Sequence, residues 1–318
     1  MHKVRIFLQK NIFLAVDDFT IPKRKYKKTQ GVGVNYCASI KKSTRSQCIV
    51  SSSFLMGEIH HVFKSLFYVG KKYICLNDFK TKNELAIKLF NKFENYIFAQ
   101  KGDIKKFIVL IDGGYTNTKV MSYINSSNLK GFIGRYSKGR KLVLGGKYLK
   151  LSEYISTLLL KDFKKIIIND IEKYVHEIVC DITGATAIKM LLVIDNIKEP
   201  KLSDIRPLVT NVLELSAEEI VKFFSKRWKE ETYHQILKEG FGAKSHKLRT
   251  LKALSRYMEL IAVSYTFCEI RRVKCREISV FEVKNKLIST ANKNFILNMK
   301  GNKFKKPMQD KILKRFVA

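Results

Sequence analysis

The sequence predicts an α/β fold, a mixed sheet flanked by helices, on three observations. Two short apolar runs, "NIFLAVDDFT" and "KKFIVLIDGGYTN", read as buried strands that run into aspartates. Two longer segments, "KNELAIKLFNKFENYIF" and the stretch opening at Ser216, carry apolar residues at helical spacing. Between the second aspartate and the last helices, from about 138 to 207, the texture is short strands and glycine turns.

Taken in order, "NIFLAVDDFT" predicts a strand that ends in Asp17 and Asp18 before Pro22, and "IPKRKYKKTQGVG" a basic loop. "QCIVSSSFLMG" and "HVFKSLFYVG" read as two further strands, each closed by a glycine. Leu85, Leu89, Phe93 and Ile97 then share one face of a helix. "FIVLIDGG" is a strand running into Asp112, "TKVMSYINSSN" a helix and "KGFIGRYS" a strand. "RKLVLGGKYLKL", "KKIIIND", "YVHEIVCDI" and "AIKMLLVIDN" are short strands of an inserted subdomain or of the same sheet continued. "SAEEIVKFFSKRWKEETYHQILKEG" opens with a capping box, Ser216 with Glu219, and predicts one helix ending at Gly240. A second amphipathic helix, "TLKALSRYMELIAVSYTFCEIRR", and a basic tail follow. The organisation expected is 1–137 and 208–270 as one core, 138–207 as a β-rich insertion, and 271–318 as the tail.

The formal net charge of +33 over 318 residues calls for a polyanionic partner. Nucleic acid leads and an anionic membrane surface comes second, while codon bias in an AT-rich genome is a plain source of part of the lysine. Six scattered cysteines without a C-x-x-C pair suggest neither a zinc ribbon nor a disulfide framework. No apolar run reaches the ~20 residues that cross a bilayer, and the start is a poor signal peptide, so a cytoplasmic, soluble protein is expected.

Against this basic background the acids at strand ends stand out. Carboxyl ends of buried strands are where open α/β sheets place ligands. Converging carboxylates favour a hard cation between them, and Mg²⁺ takes oxygen ligands. Two such ions about 4 Å apart serve phosphoryl transfer. The plain alternative for each aspartate is a turn-former after a strand. Downstream, Phe224, Arg227, Glu231 and Lys238 fall on one face of a continuous helix, which is either a solvated charged face or a metal ligand with phosphate-binding neighbours.

"KRWKEETYHQILK" resembles the glutamate helix of bacterial insertion-sequence DDE transposases, patterned Y-(2)-R-(3)-E-(6)-K; here the series is Phe224, Arg227, Glu231, Lys238. "LAVDDFTIPK" and "VLIDGGYTN" resemble the family's first- and second-aspartate strands, and the likeness runs from about Asn11 to Phe267. The resemblance implies an RNase H-like core and two Mg²⁺ ions, with Mn²⁺ as substitute, held by a catalytic triad of Asp18, Asp112 and Glu231. Asp18 is favoured over Asp17 because Asp18-Phe19-Thr20 matches the family's D-x-T pattern, and Glu231 over Glu230 by its spacing to Arg227 and Lys238. It further implies nicking at transposon ends and strand transfer on double-stranded DNA, with Arg227 and Lys238 on DNA and a homodimer in a synaptic complex. It places the protein in the bacterial cytoplasm, at the nucleoid, with no membrane partner. The alternatives are an inactive DNA-binding remnant and a related DNA nuclease. Relatives carry a longer DNA-binding region before the first aspartate strand, so a truncated or split form is expected.

Several features sit beside this frame. Phe224 replaces the family's tyrosine, and Trp228 is expected to pack beneath the helix face. Without a tryptophan in the insertion, base stacking would fall to Tyr148, Tyr154 or Tyr174. Arg135, Lys138, Arg140 and Lys141, around Tyr136, read as a DNA-backbone contact or a solvated turn. His60 and His61 are expected to meet solvent or DNA, and His234 to lie within reach of a phosphate or metal.

Overall fold

The computed structural model describes residues 11–23, 29–37, 40–195, 204–277 and 279–301. The first ten residues, the middle of the basic loop (24–28) and the tail beyond 301 lie outside the described residues. The elements are β1 (Ile12–Pro22), β2 (Val32–Cys37), β3 (Lys42–Met56), β4 (Ile59–Tyr68), α1 (Lys82–Ala99), β5 (Phe107–Ile111), α2 (Thr118–Ser126), β6 (Gly131–Arg135), β7 (Lys141–Leu144), β8 (Lys147–Lys150), α3 (Leu151–Ser156), β9 (Lys164–Ile168), β10 (Ile171–Ile182), β11 (Ala185–Ile194), β12 (Arg206–Thr210), α4 (Ala217–Ser225), α5 (Trp228–Glu239), α6 (Leu251–Cys275) and α7 (Val280–Gly301). The chain divides into two compact units, Met1–Val263 and Ser264–Ala318.

The first unit is built on one mixed sheet. β1 pairs antiparallel with β3 and parallel with β5, and β5 pairs parallel with β6. β3 is longer than the "QCIVSSSFLMG" run and pairs β2 along its first half and β4 along its second. All five residues of β5, "FIVLI", are buried, as a central parallel strand covered on both faces requires. Beyond β6 the sheet continues through β12, β11 and β10 to β7 and β8, with β9 also on β10. The strands of 138–207 therefore extend the same sheet. β7 and β8 are joined at Gly145 and Gly146, both at positive φ, the conformation a two-residue hairpin turn demands.

Strand alternation sorts β1 between two cores. Ile12, Leu14 and Val16 face α1 and α2, packing with Leu89, Phe90, Phe93, Val120 and Met121. Phe13 and Ala15 face the other way, with Ile108, Leu110, Ile133, Ile220, Val221 and Phe224. Helices thus cover both faces: α1 and α2 on one, α4 and α5 on the other.

The Ser216–Glu219 capping box forms as expected, and Gly240 caps the end of α5. The single helix expected between them is instead two. At Lys226 and Arg227 the backbone tightens to i→i+3 bonds, Lys226 N–H to Phe223 O (3.1 Å) and Arg227 N–H to Phe224 O (3.0 Å). In the second unit, α7 follows the C-terminal turns of α6, where buried Glu269 accepts two hydrogen bonds from Arg272 at 2.7 and 2.9 Å.

Candidate active site

The parallel register of the central strands sets the geometry. Val16 lies opposite Ile111, and Ile111 opposite Gly134. One step further along each strand stand Asp17, Asp112 and Arg135, three neighbours at the carboxyl ends of β5 and β6 and level with them on β1. Asp17 follows Phe13 and Ala15 on the α4–α5 face, where Arg227 meets it, Nη1 to Oδ2 at 3.3 Å. The same guanidinium donates through Nη2 to Glu231 Oε1 at 2.5 Å. Arg227 therefore stands between two carboxylates, as a cation would. Its Nε is buried without a hydrogen-bond partner among the described residues.

Asp17 is largely buried, and desolvation pushes its carboxyl up to about 6 against the opposing pull of His234 and Arg227. Asp18 leaves the strand on the opposite face. It accepts from Lys82 Nζ at 2.7 Å and from the Tyr115 hydroxyl at 2.9 Å, with Cys48 Sγ at 3.6 Å. The sequence favours Asp18; the side chain that the fold turns toward α5 is that of Asp17.

Glu230 and Glu231 are separated as sharply. Glu231 is partly exposed beside Arg227, whereas Glu230 is fully buried. Its Oε1 accepts from Ser51 at 2.6 Å and lies 3.2 Å from His234 Nε2; its Oε2 accepts from Ser53 and lies 3.3 Å from His60 Nε2. Ser51 also meets His234 Nε2 at 2.7 Å. Burial alone would raise the Glu230 carboxyl, but the two histidines outweigh it and hold it below the ordinary carboxylate range. His60 is thus a core residue and does not face solvent or DNA, and His61 stacks on Phe54, ring centroids 4.9 Å apart. The signal for this network lay in "SSS" opposite "AVD": Ser51 pairs with Asp17 and Ser53 with Ala15, so both serines share the α5 face.

The remaining candidates distribute around this row. Phe224 is 5% exposed in the core, where a tyrosine hydroxyl would have no water. Trp228, expected beneath the face, is 66% exposed because the tightened turn swings it outward. Lys238 lies over the Phe19 ring, 5.3 Å from its centroid, and burial holds its ammonium below the ordinary lysine range. Arg140 donates to the Thr116 carbonyl in the turn after Asp112 and lies over Tyr136, while Arg135 and Lys141 are exposed. Tyr148 is 78% exposed, and Tyr154 is engaged with His176 at 2.8 Å.

A family model described as a transposase DDE domain matches residues 71–267, more than half of the chain. The chain belongs to the transposase DDE domain family. Membership makes transposase- or nuclease-type chemistry its function class and DNA its implied substrate. The matched span takes in Asp112, Arg227, Glu231 and Lys238 of this DDE domain and begins after Asp17 and Asp18. No curated protein matches the chain in sequence. Among solved structures it is similar to the NurA nuclease from Sulfolobus solfataricus, at 11% identity and a TM-score of 0.29 over 80% of this chain and 84% of that one. So low a score carries no argument about fold or chemistry. No described helix is long and apolar enough to cross a membrane.

The family implies a divalent metal, and the donor chemistry fits one. Asp17, Asp112 and Glu231 offer the hard oxygen donors that such an ion takes. Among the described residues no three acidic, histidine or cysteine side chains converge to hold a metal ion, and between Asp17 and Glu231 the cationic group is Arg227.

Proposed function

We propose that this chain is a metal-dependent DDE transposase that nicks DNA at the ends of an insertion sequence and joins the freed 3′-hydroxyl to a target. Its carboxylate set in this reading is Asp17, Asp112 and Glu231, with Asp17 in the place that the D-x-T pattern gives to Asp18. The observation that carries the reading is the bridge from Arg227 to Asp17 and Glu231, with Asp17 level with the carboxyl end of β5. An RNase H-like core, formed by 1–137 and 208–270 and extended by 138–207, is supported by the strand order β4-β3-β1-β5-β6 with β1, β5 and β6 parallel.

In this reading Mg²⁺, or Mn²⁺ in its place, supplies activation of water and stabilisation of the leaving oxygen. The protein's own groups orient the DNA. Arg227 would meet the DNA backbone beside Asp17 and Glu231, and Lys238 places a half-buried ammonium about three turns further along the same helix. Arg135, Arg140 and Lys141 border the Asp112 turn and would hold the flanking backbone by phosphate contacts that carry no sequence information. Two copies holding two ends, at work in the bacterial cytoplasm on the nucleoid, complete the proposal.

The test is cleavage of end-containing DNA in Mg²⁺ and Mn²⁺ by the full chain and by Asp17→Asn, Asp112→Asn and Glu231→Gln. The expected result is metal-dependent nicks and joined products from the wild type and neither from the variants. Nicks without joined products would point to a nuclease. Salt-sensitive DNA binding with no cleavage would point to an inactive remnant.

A further inference from the structure

Asp18 faces away from Arg227, and the proposed chemistry does not use it, yet both of its carboxylate oxygens are engaged. Lys82 takes Oδ2 and the Tyr115 hydroxyl takes Oδ1. Tyr115 in turn belongs to the turn that begins at Asp112. The Asp112 carbonyl accepts from Tyr115 N–H at 2.9 Å, from Thr116 N–H at 3.1 Å and from Thr116 Oγ1 at 3.0 Å. We propose that Asp18 is a positioning residue, which through the Tyr115 phenol fixes the Asp112 turn level with Asp17. The inference rests on the reading of Asp17 and Asp112 as metal ligands.

Three observations give the link its force. First, the β1–β5 pairing ends at Val16 and Ile111, so no ladder bond of these two strands holds Asp112 beside Asp17. The path Asp17–Asp18–Tyr115–Asp112 closes that gap with one peptide bond and two hydrogen bonds. Second, Tyr115 is 3% exposed and packs in the α1–α2 core, so its ring is a fixed strut. Third, the turn is seated closely on β6: a Cβ at Gly134 would come within 2.6 Å of Thr116 Oγ1, so the neighbouring strand leaves little slack. Lys82, at the first position of α1, holds the other oxygen of Asp18 by a charge-assisted hydrogen bond and so fixes the carboxylate toward Tyr115.

A ligand loosened in this way weakens ion binding before it touches any later step, as loss of outer-shell partners does at metal sites. The experiment is therefore direct Mn²⁺ binding to the full chain without DNA, by paramagnetic resonance, alongside a Mg²⁺ titration of nicking. Tyr115→Phe, which keeps the ring and removes the donor, should weaken Mn²⁺ binding about 10-fold and raise the Mg²⁺ half-saturation equally. At saturating metal its nicking rate should return to near that of the wild type. Asp18→Leu should behave like Tyr115→Phe, and Asp18→Asn, which keeps an oxygen acceptor for the phenol, should retain most of the affinity. Unchanged Mn²⁺ binding in Tyr115→Phe, with Asp17→Asn unable to bind, would overturn the positioning role and leave the proposed function standing. Loss of binding in Asp18→Asn but not in Asp17→Asn would make Asp18 a ligand and overturn both. Absence of Mn²⁺ binding to the wild type would also overturn both.

Discussion

At the scale of single residues, strand alternation separates Asp17 from Asp18 more firmly than any sequence pattern does. Adjacent strand residues point to opposite faces, and the sequence contains that rule but not which face α5 would cover. D-x-T spacing favours Asp18, while Arg227 meets Asp17. Glu231 needed no such arbitration, because its i,i+4 relation to Arg227 is local. The burial of Asp17 has a measurable cost. Its carboxyl titrates near 6 in the fold against 3.8 ordinarily, so the wild type loses stability as pH rises through that window. Asp17→Asn, which cannot ionise, should therefore be more stable than wild type at pH 8, by about 1–3 kcal/mol. The advantage should vanish below about pH 4, where both side chains are neutral, and urea denaturation at the two pH values checks it.

At the scale of elements, capping and periodicity were legible, and the break between α4 and α5 was not. Ser216, Glu219 and Gly240 announce their ends through side-chain and backbone chemistry that any helix shares. Lys226 and Arg227 carry no such mark; neither is glycine or proline, and the tightened turn becomes visible only with Phe224 in the core and Arg227 on Asp17. The turn accompanies two departures from the single charged face expected of this helix, an exposed Trp228 and a Phe224 sunk in the core. Restoring the hydroxyl by Phe224→Tyr should destabilise the fold by about 1–3 kcal/mol, since the site offers a buried apolar environment. Thermal melts check this; an unchanged melting temperature would place the hydroxyl in water. Trp228→Ala should stay within about 0.5 kcal/mol of wild type in the same measurement, as an exposed side chain should.

At the scale of the whole molecule, the β texture of 138–207 was plain in the sequence, but its attachment was not. That the insertion continues the sheet depends on β12 pairing with β6, a contact between Leu208–Thr210 and Ile133–Arg135 that no local pattern encodes. The buried Glu230 network was hidden for the same reason, since Ser51, Ser53 and His60 reach it only through the β1–β3–β4 pairing. Net charge, by contrast, is a bulk property read directly from the chain. With +33 in formal charge, DNA binding should weaken steeply with salt. If 6–10 phosphates are contacted, affinity should fall by about 10³–10⁵-fold between 50 and 200 mM salt. Fluorescence anisotropy on a duplex reads that slope, and a flat response would mean that the lysine excess meets no phosphate backbone.

In the proposed mechanism the carboxylate facing Arg227 and Glu231 is the one that works with Asp112. Single-turnover nicking of end-containing DNA at saturating Mg²⁺ compares Asp17→Asn with Asp18→Asn directly. Asp17→Asn should lose on the order of 10³-fold or more, about 4 kcal/mol of transition-state stabilisation, while Asp18→Asn still cuts. An active Asp17→Asn beside a dead Asp18→Asn would contradict it.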